Sequence, residues 1–366
     1  MRTLKVRLGP NSYPIFICDQ YWGKLPELLK LYAAPRRLII ITDDRVAKLY
    51  LQPMTEALTG NDFAVESIVV NAGEEAKSLI VYEKIITQML QFGAARDWGI
   101  VSLGGGVIGD LAGFVAATFM RGLPFYQVPT TLLAQVDASI GGKVAINHPM
   151  SKNLIGAFYQ PRLVFIDIHF LRTLPETEII SGMAEIVKHG IIADRGLFLL
   201  CEMEMRRLLA IETEPIQQAV FQSCQIKARI VEEDEKEAGV RAILNYGHTI
   251  GHALEAASEY NKLRHGEAVF WGMLAEAWIS RAMGELSEAE FHRLERFFTQ
   301  IPLRATLDGI NMDEVFALMA FDKKKKAGKI RLALPVTVGE ARLFEDISED
   351  TLRQALSYIR SRPWLA

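Results

Sequence analysis

The first half of the chain alternates short apolar runs with longer amphipathic stretches. Runs rich in β-branched and other apolar residues predict buried strands, and patterns that repeat about every 3.6 residues predict the helices between them. The predicted strands are 6–8, 15–18, 37–42, 64–70, 99–103, 124–128 and 163–167, and the predicted helices are 44–58, 78–92 and 109–119. Strand, helix and strand at this spacing predict a largely parallel sheet with helices on both faces.

The pattern changes after residue 174, where strand signals nearly vanish. The predicted helices are 176–192, 195–210, 213–235, 247–259, 266–284 and 287–299, and the one late strand is 329–335, which could pair with 340–344. We therefore predict two domains of different class, 1–174 of α/β type and 175–366 mostly helical. A cleft between two such domains is a usual place for a ligand.

The composition is that of a folded globular protein. Half of the 366 residues are hydrophobic and 23% are charged, which excludes a disordered, collagen-like or coiled-coil chain. The formal net charge is −3, so nothing in it favours nucleic acid as a partner, and no apolar run predicts a membrane span. The three cysteines, Cys18, Cys201 and Cys224, are far apart, which is typical of reduced thiols in a cytoplasmic protein.

A glycine-rich segment, 104–110, follows a predicted strand and opens a predicted helix. The spacing Gly104-x-Gly106-x-x-Gly109 is typical of loops whose backbone N–H groups approach a dinucleotide pyrophosphate. The acidic residue that usually follows about 20 residues later is missing. Asp43, which ends an earlier strand, could contact the ribose or adenine instead. The alternative is a tight turn without a ligand.

Polar residues cluster after the next predicted strand. Thr130 and Thr131 follow that strand directly, and the residues behind them are Asp137, Lys143, Lys152 and Asn153. Two lysines and an asparagine suit an anionic group of a substrate, although each residue alone could be an ordinary surface residue. The lysine run 323–326 is either a solvated face or a lid that closes on phosphate.

Three of the seven histidines fall within 18 residues, at positions 248, 252 and 265. His248 and His252 are spaced i, i+4, which places both imidazoles on one helix face at a spacing typical of metal ligands. Glu185 and two histidines would leave positions open for a substrate, as catalytic zinc requires. Capping or core histidines are the alternative.

Seven separated motifs together resemble the 3-dehydroquinate synthase family of sugar phosphate cyclases. They are GGGVIGDLAGFVAATFMRG (104–122), PTTLLAQVDASIGGKVAINH (129–148), SKNLIGAFYQP (151–161), GMAEIVKHG (182–190), NYGHTIGHALE (245–255), LRHGEAV (263–269) and DKK (322–324). The resemblance implies an N-terminal Rossmann-like α/β domain, a mostly helical C-terminal domain and an active site in the cleft between them. It also implies bound NAD, one zinc or cobalt ion, a phosphorylated sugar acid as substrate, and a homodimer.

The implied reaction converts 3-deoxy-D-arabino-heptulosonate 7-phosphate into 3-dehydroquinate and phosphate. It proceeds by transient oxidation of the C5 hydroxyl, loss of phosphate, reduction, and an intramolecular aldol closure. Ala138 stands where the family commonly has a serine, and we expect no consequence from this difference.

The resemblance also assigns site residues, starting with Glu185, His248 and His265 as metal ligands. His252 then lies near the substrate and is not a ligand. The implied NAD-binding residues are Asp43, Glu74, Lys77, Gly106, Val107, Ile108, Gly109, Asp110, Thr130, Thr131 and Thr173, together with Lys143 and Lys152. The implied substrate-binding and catalytic residues are Asp137, Lys143, Lys152, Asn153, Lys188, Lys227, Arg241, Asn245, His252, Arg121 of the neighbouring subunit, and one of Lys323 or Lys324.

Three competing functions stay open at this point. Sister cyclases act on sedoheptulose 7-phosphate or glucose 6-phosphate, but they commonly depart at the positions of Asn245 and His252, and both residues are in place here. A metal-dependent alcohol or glycerol dehydrogenase would show net NADH formation. A non-catalytic nucleotide-binding protein would have no need of the full set of ligands and lysines.

Overall fold

The chain folds into two compact units. The computed structural model describes residues 1–258, 262–325 and 330–362, without the side chains of 320–325. One unit consists of residues 1–174 and 227–236, and the other consists of 175–226 and 237–366. Within the described residues, no helix has both the length and the apolar composition needed to cross a bilayer.

The first unit is built on a seven-stranded sheet. Its strands are β1 (Arg2–Val6), β2 (Tyr13–Cys18), β3 (Arg37–Asp43), β4 (Ala64–Val70), β5 (Trp98–Gly104), β6 (Phe125–Pro129) and β9 (Leu163–Asp167). The order is β1-β2-β9-β6-β5-β3-β4. Only β1 is antiparallel to its neighbour, so the predicted largely parallel sheet is confirmed.

Helices cover both faces of this sheet, as predicted. They are α1 (Leu25–Leu31), α2 (Asp44–Val46), α3 (Gln52–Thr59), α4 (Leu79–Gln91) and α5 (Gly106–Thr118). Successive residues of a strand point to opposite faces. Ile39 and Ile41 of β3 therefore join one apolar cluster with α4 and α5, while Leu38 and Ile40 join the other with α1 and α3.

Some element bounds differ from the sequence prediction. The strand predicted at 6–8 lies at Arg2–Val6, because a turn occupies Gly9–Asn11. The helix predicted over 44–58 is interrupted by a π-helical turn at Ala47–Leu51, and α5 begins at Gly106 instead of 109.

A hairpin that the pattern did not predict covers α5. It consists of β7 (Lys143–His148) and β8 (Ser151–Phe158). The side chain of Val144 fills the space above Gly113, where a Cβ atom would lie 2.3 Å from Val144 Cγ1. This cover explains why α5 is apolar on nearly all sides.

The second unit is mostly helical, as predicted. Its helices are α6 (Glu176–Ala193), α7 (Arg195–Leu209), α8 (Thr213–Glu233, whose last turns from 227 belong to the first unit), α9 (His248–Ala257), α10 (His265–Ala282), α11 (Glu288–Phe298), α12 (Met312–Lys325) and α13 (Glu349–Arg360). The strand pair β10 (Leu332–Thr337) and β11 (Glu340–Phe344) is antiparallel, which confirms the predicted pairing. The central helix is α10, buried continuously from Gly266 to Ser280, and the sequence analysis did not predict α12 or α13.

Candidate active site

Three side chains from three helices of the second unit converge on one point. Glu185 lies in the middle of α6, and His248 and His265 are the first residues of α9 and α10. Glu185 Oε1 lies 3.3 Å from His248 Nε2 and 3.8 Å from His265 Nε2. One ligand atom from each residue falls within 4.8 Å of the others, so the group can hold one metal ion.

The hydrogen bonds of the two imidazoles leave their Nε2 atoms available as ligands. His248 Nδ1 lies 3.1 Å from the carbonyl oxygen of Tyr246, and His265 Nδ1 lies 3.1 Å from Glu255 Oε2. In a neutral imidazole the ring nitrogen that faces an acceptor carries the hydrogen, so each Nε2 would present a lone pair to a metal ion that displaces its proton. Glu185 Oε1 is buried without a hydrogen-bond partner among the described residues. Three lone pairs that face one another fit a cation at their centre.

The electrostatics of this cluster favour positive charge. Burial opposes ionisation of Glu185, but the Lys188 ammonium, which pairs with it, and His248 hold its pKa well below the usual range. Burial lowers the pKa of His265, yet the carboxylates of Glu185 and Glu255 outweigh burial and raise that pKa to about 10. Two nitrogens and one carboxylate oxygen are a ligand set that zinc and cobalt accept.

His252 does not join Glu185. Its ring centroid lies 5.3 Å from that of His248 and 5.8 Å from that of His265, and it belongs to a second possible group with Glu255 and His265. The i, i+4 spacing alone would have paired His248 with His252. The partner that the structure places beside Glu185 comes from the next helix.

Glycines allow the three ligand-bearing helices to approach closely. A Cβ atom on Gly266, next to His265, would lie 2.3 Å from Ser181 Cα, one turn before Glu185 on α6. A Cβ on Gly272 of α10 would lie 2.0 Å from the carbonyl oxygen of Gly247, next to His248. Backbone therefore packs on backbone beside each histidine.

The other predicted residues of the second unit lie on α6, α9, α12 and the turn before α9. Lys188 and Arg241 are buried, whereas Asn245 and His252 are exposed. Asn245 Nδ2 lies 3.4 Å from Glu237 Oε1. Lys323 and Lys324 belong to α12, and their side chains lie outside the described part.

In the first unit, candidate nucleotide-binding residues meet at the carboxyl edge of the sheet. The chain runs outward from β3 to β4 and then returns to β5 on the other side of β3, which makes the gap between β3 and β5 a topological switch point. Ligands of open α/β sheets bind outside the strands at such points. Asp43 ends β3 and Gly104 ends β5. Because β3 and β5 are adjacent parallel strands, Asp43 and Gly104 lie side by side at this edge of the sheet.

Neighbouring side chains lie so close to the glycine loop that they leave little room for a Cβ atom on Gly105 or Gly106. A Cβ on Gly105 would lie 3.0 Å from Thr131 Cγ2, and one on Gly106 would lie 3.3 Å from Ala138 Cβ. The N-terminus of α5 follows directly, and such a terminus favours an anion. At the end of the adjacent β6, the hydroxyl of Thr130 is buried without a partner among the described residues. These features fit a dinucleotide.

A polar network surrounds Lys77, which is buried. Its ammonium group contacts Asp110 Oδ2 at 2.7 Å and donates to Asn153 Oδ1. Asn147 of β7 donates to Glu74 Oε1 at 2.7 Å and accepts from the backbone N–H of Asn153 at 2.8 Å. Burial raises the pKa of Asp110, although Lys77 opposes that effect.

The remaining predicted residues of this unit are spread over several elements. Asp137 and Lys227 form an ion pair in which the Lys227 ammonium also donates to the Asp137 carbonyl. Lys143 and Lys152 are exposed near opposite ends of the hairpin. Arg121 is exposed just after α5, with φ +67°, and Thr173 Oγ1 bonds to the Tyr50 hydroxyl.

Family models match both units. The model for the 3-dehydroquinate synthase N-terminal domain matches residues 67–181, and the model for the C-terminal domain matches residues 182–325. A 3-dehydroquinate synthase of Desulforamulus reducens is 43% identical over 98% of this chain and 100% of its own length. One of Colwellia psychrerythraea is 44% identical over 97% and 100%. This chain belongs to the 3-dehydroquinate synthase family.

Solved structures of other sugar phosphate cyclases resemble this member of the family. The 2-epi-5-epi-valiolone synthase of Streptomyces hygroscopicus, with NAD⁺ and Zn²⁺ bound, is 28% identical with a TM-score of 0.86, over 95% of this chain and 96% of that one. A 2-deoxy-scyllo-inosose synthase complexed with carbaglucose-6-phosphate, NAD⁺ and Co²⁺ is 25% identical with a TM-score of 0.86, over 97% and 99%. A glycerol dehydrogenase of Schizosaccharomyces pombe shares the fold alone, at 17% identity and TM-score 0.67 over 95% and 88%.

Sequence reasoning missed several residues that support the candidate site of this family member. Asn147 lies within one of the motifs, but the sequence analysis assigned no function to it. Glu255 lies seven residues after His248, two helical turns along the same face of α9, and this spacing was the available signal. Glu276 had no signal at all, since a glutamate within an apolar helix does not indicate its partner.

Proposed function

We propose that this chain is an enzyme that converts 3-deoxy-D-arabino-heptulosonate 7-phosphate into 3-dehydroquinate and phosphate. The observation that carries the proposal is the convergence of Glu185 Oε1, His248 Nε2 and His265 Nε2 within 4.8 Å, in a chain that belongs to the 3-dehydroquinate synthase family. The proposed cofactors are NAD and one zinc or cobalt ion.

Two cofactors would supply the chemistry that side chains lack. Bound NAD would supply the reversible oxidation at C5, and a bound divalent ion would supply the acidity of the hydroxyl that is oxidised. In this proposal Glu185, His248 and His265 hold the ion. The glycine loop 106–110 with Thr130, Thr131 and Thr173 binds the dinucleotide, Asp43 accepts hydrogen bonds from its ribose, and Glu74 and Lys77 complete this set.

Cationic residues of the chain suit both anionic groups of the substrate. Lys143, Lys152 and Asn153 are proposed to bind the phosphate, where hydrogen-bond donors stabilise the charge that grows on the leaving group. Arg241, with Lys227, is proposed to bind the carboxylate, because a buried carboxylate needs a cationic partner. Asp137, Lys188, Asn245 and His252 would orient the substrate and move protons, together with one of Lys323 or Lys324.

Phosphate release tests the proposal. The purified chain with NAD and Co²⁺ should release phosphate from the heptulosonate phosphate, and a chelator should stop the reaction. NADH should not accumulate, because the hydride returns to the same molecule. His265→Ala is the control that lacks one proposed ligand. Stoichiometric NADH without phosphate release would indicate a dehydrogenase and overturn the proposal.

A sister cyclase is the second candidate, supported by the likeness to the valiolone synthase. Asn245 and His252, which such cyclases commonly lack, favour the first candidate. The heptulosonate carries a carboxylate that sedoheptulose 7-phosphate lacks, so wild type should turn over sedoheptulose 7-phosphate poorly. A preference for sedoheptulose 7-phosphate would support the second candidate instead.

The proposal includes a homodimer in the cytoplasm. Buried thiols at Cys18, Cys201 and Cys224 suit a reducing compartment. Met120, Leu154 and Phe158 are large apolar side chains that are at least 41% exposed on the same unit as Arg121, and they suit an interface.

Mixing two inactive variants tests whether Arg121 reaches the partner's site. Arg121→Ala and His265→Ala should each lack activity. When equal amounts of the two variants are unfolded together and refolded, about half of the dimers should be mixed. Each mixed dimer should have one complete site of its two, so about a quarter of all sites should be active. No recovery in mixed dimers that mass spectrometry confirms would contradict the assignment of Arg121.

A further inference from the structure

Glu276 is a fully buried glutamate on α10 that none of the proposed steps uses. Its side chain has 0% exposure. Glu276 Oε2 accepts a hydrogen bond from the backbone N–H of Gly247 at 2.6 Å, and the N–H of Ile250 lowers the pKa of the same carboxyl group. Its other oxygen, Oε1, has no hydrogen-bond partner among the described residues. A buried carboxyl group in such surroundings is costly, so a compensating function is expected.

The two N–H groups belong to the N-terminus of α9. Gly247 is the N-cap residue and Ile250 is the third helical residue. In an ordinary capping box, the N-cap side chain accepts from the third residue, whose own side chain reaches back to the N-cap N–H. Glu276 supplies the acceptor for the N-cap N–H from another helix.

The close packing explains why α9 does not cap itself. Gly247 has φ +78°, and a Cβ atom there would lie 2.5 Å from Met273 Cγ. No side chain fits at this N-cap, so a capping oxygen must come from elsewhere. Gly272 and Glu276 are four residues apart on α10 and therefore share one face, which packs on the start of α9.

We propose that Glu276 is a positioning residue that caps α9 from α10 and thereby holds His248 in place as a metal ligand. His248 directly follows Gly247, and His265 begins the helix that carries Glu276. The cap therefore ties both histidines to one rigid element. This inference rests on the metal centre of the proposed function.

Cobalt binding to the metal-free protein tests this inference without any turnover. Glu276→Met removes the capping oxygen, and we expect its Co²⁺ affinity, measured against a competing chelator, to fall about tenfold or more, with a changed visible Co²⁺ spectrum. Glu276→Gln keeps an acceptor oxygen, so it should bind Co²⁺ nearly as wild type does. Ser280→Ala, which removes a different buried hydrogen bond of α10, to the carbonyl of Pro335, is the matched control and should also resemble wild type.

Each outcome decides the inference. A folded Glu276→Met protein with wild-type affinity and spectrum would overturn it, as would an equal loss in Ser280→Ala. If Glu276→Met does not fold, Glu276→Asp replaces it, because the shorter carboxylate withdraws from Gly247 and should bind Co²⁺ more weakly than Glu276→Gln. Wild-type protein that binds no Co²⁺ would overturn the proposed metal centre and this inference with it.

Discussion

At the scale of single residues, the two histidines of the candidate metal site differ in what orients them. A backbone carbonyl accepts from His248 Nδ1, whereas the Glu255 carboxylate accepts from His265 Nδ1. A carboxylate behind an imidazole fixes its tautomer and makes it a stronger ligand. The orientation of His265 therefore depends on a side chain, and the orientation of His248 depends on the main chain.

Glu255→Ala should weaken Co²⁺ binding about 10–100-fold, because His265 loses the acceptor that orients it. Glu255→Gln keeps an acceptor and should lose less. Competition with a chelator measures both, and Glu314→Ala, an exposed glutamate of the same unit, serves as the control. An equal loss in Glu255→Gln and Glu255→Ala would instead make Glu255 a direct ligand, in the group with His252 and His265.

Glu276 should also make stability depend on pH. Burial raises its pKa to about 8, although the N–H groups of Gly247 and Ile250 oppose this. The folded state therefore keeps a proton that the unfolded chain releases above about pH 4.5, and this stabilisation is lost as pH rises through about 8. Relative to Glu276→Gln, wild type should lose free energy of unfolding between about pH 5 and pH 8, in urea titrations with a chelator present. A difference that does not change with pH would contradict the raised pKa.

At the scale of elements, glycines decide how α6, α9 and α10 bring the ligands together. Long side chains at Gly266 or Gly272 would separate helices whose backbones are in contact. The hairpin β7–β8 has a comparable function in the first unit, since Asn147 links it to Glu74 and to the backbone of Asn153. In both units, close contacts between elements place the candidate residues.

Gly272→Ala should lower the free energy of unfolding by about 1–3 kcal/mol or more, because its Cβ would overlap the carbonyl oxygen of Gly247. Co²⁺ affinity should fall as well, since His248 follows Gly247. Gly23→Ala is the control, because a Cβ there meets nothing within 4 Å. Unchanged stability and Co²⁺ affinity in Gly272→Ala would show that α9 and α10 can move apart without consequence.

At the scale of the whole molecule, the two units carry different kinds of candidate site. The first unit has the parallel sheet with its switch point and glycine loop, and the second has the three ligands on helices. Each set lies within its own unit. Binding of the two cofactors should therefore be separable by substitution.

Asp43→Ala should weaken NAD binding, measured by quenching of protein fluorescence, and leave Co²⁺ affinity unchanged. His265→Ala should do the reverse. Both variants should lose phosphate release, because the proposed reaction needs both cofactors. Loss of Co²⁺ binding in Asp43→Ala, in a protein with wild-type circular dichroism, would contradict this separation.

Local patterns predicted much of the fold because periodicity follows burial. Strands β3, β5 and β9 are buried along their whole length or nearly so. Their continuous apolar runs could therefore be recognised in the sequence. The hairpin β7–β8 alternates weakly, because it rests on a helix and not in the sheet. The π-helical turn at Ala47–Leu51 leaves no sign in a helical pattern.

The residue types and their order were enough to predict a parallel α/β unit, a helical unit, a nucleotide loop and a metal-binding glutamate with histidines. Each of these depends on residues close together in the chain, or on motifs that stand together in a family. Spacing alone would have paired His248 with His252, and the family motifs pointed to His265 instead. Only the tertiary structure decided how Glu185, His248 and His265 converge, that Asp43 and the glycine loop share one switch point, and that Glu276 caps a helix it does not belong to. These are contacts between segments that are distant in the chain. Helix packing and strand order bring such segments together, and spacing along the chain encodes neither.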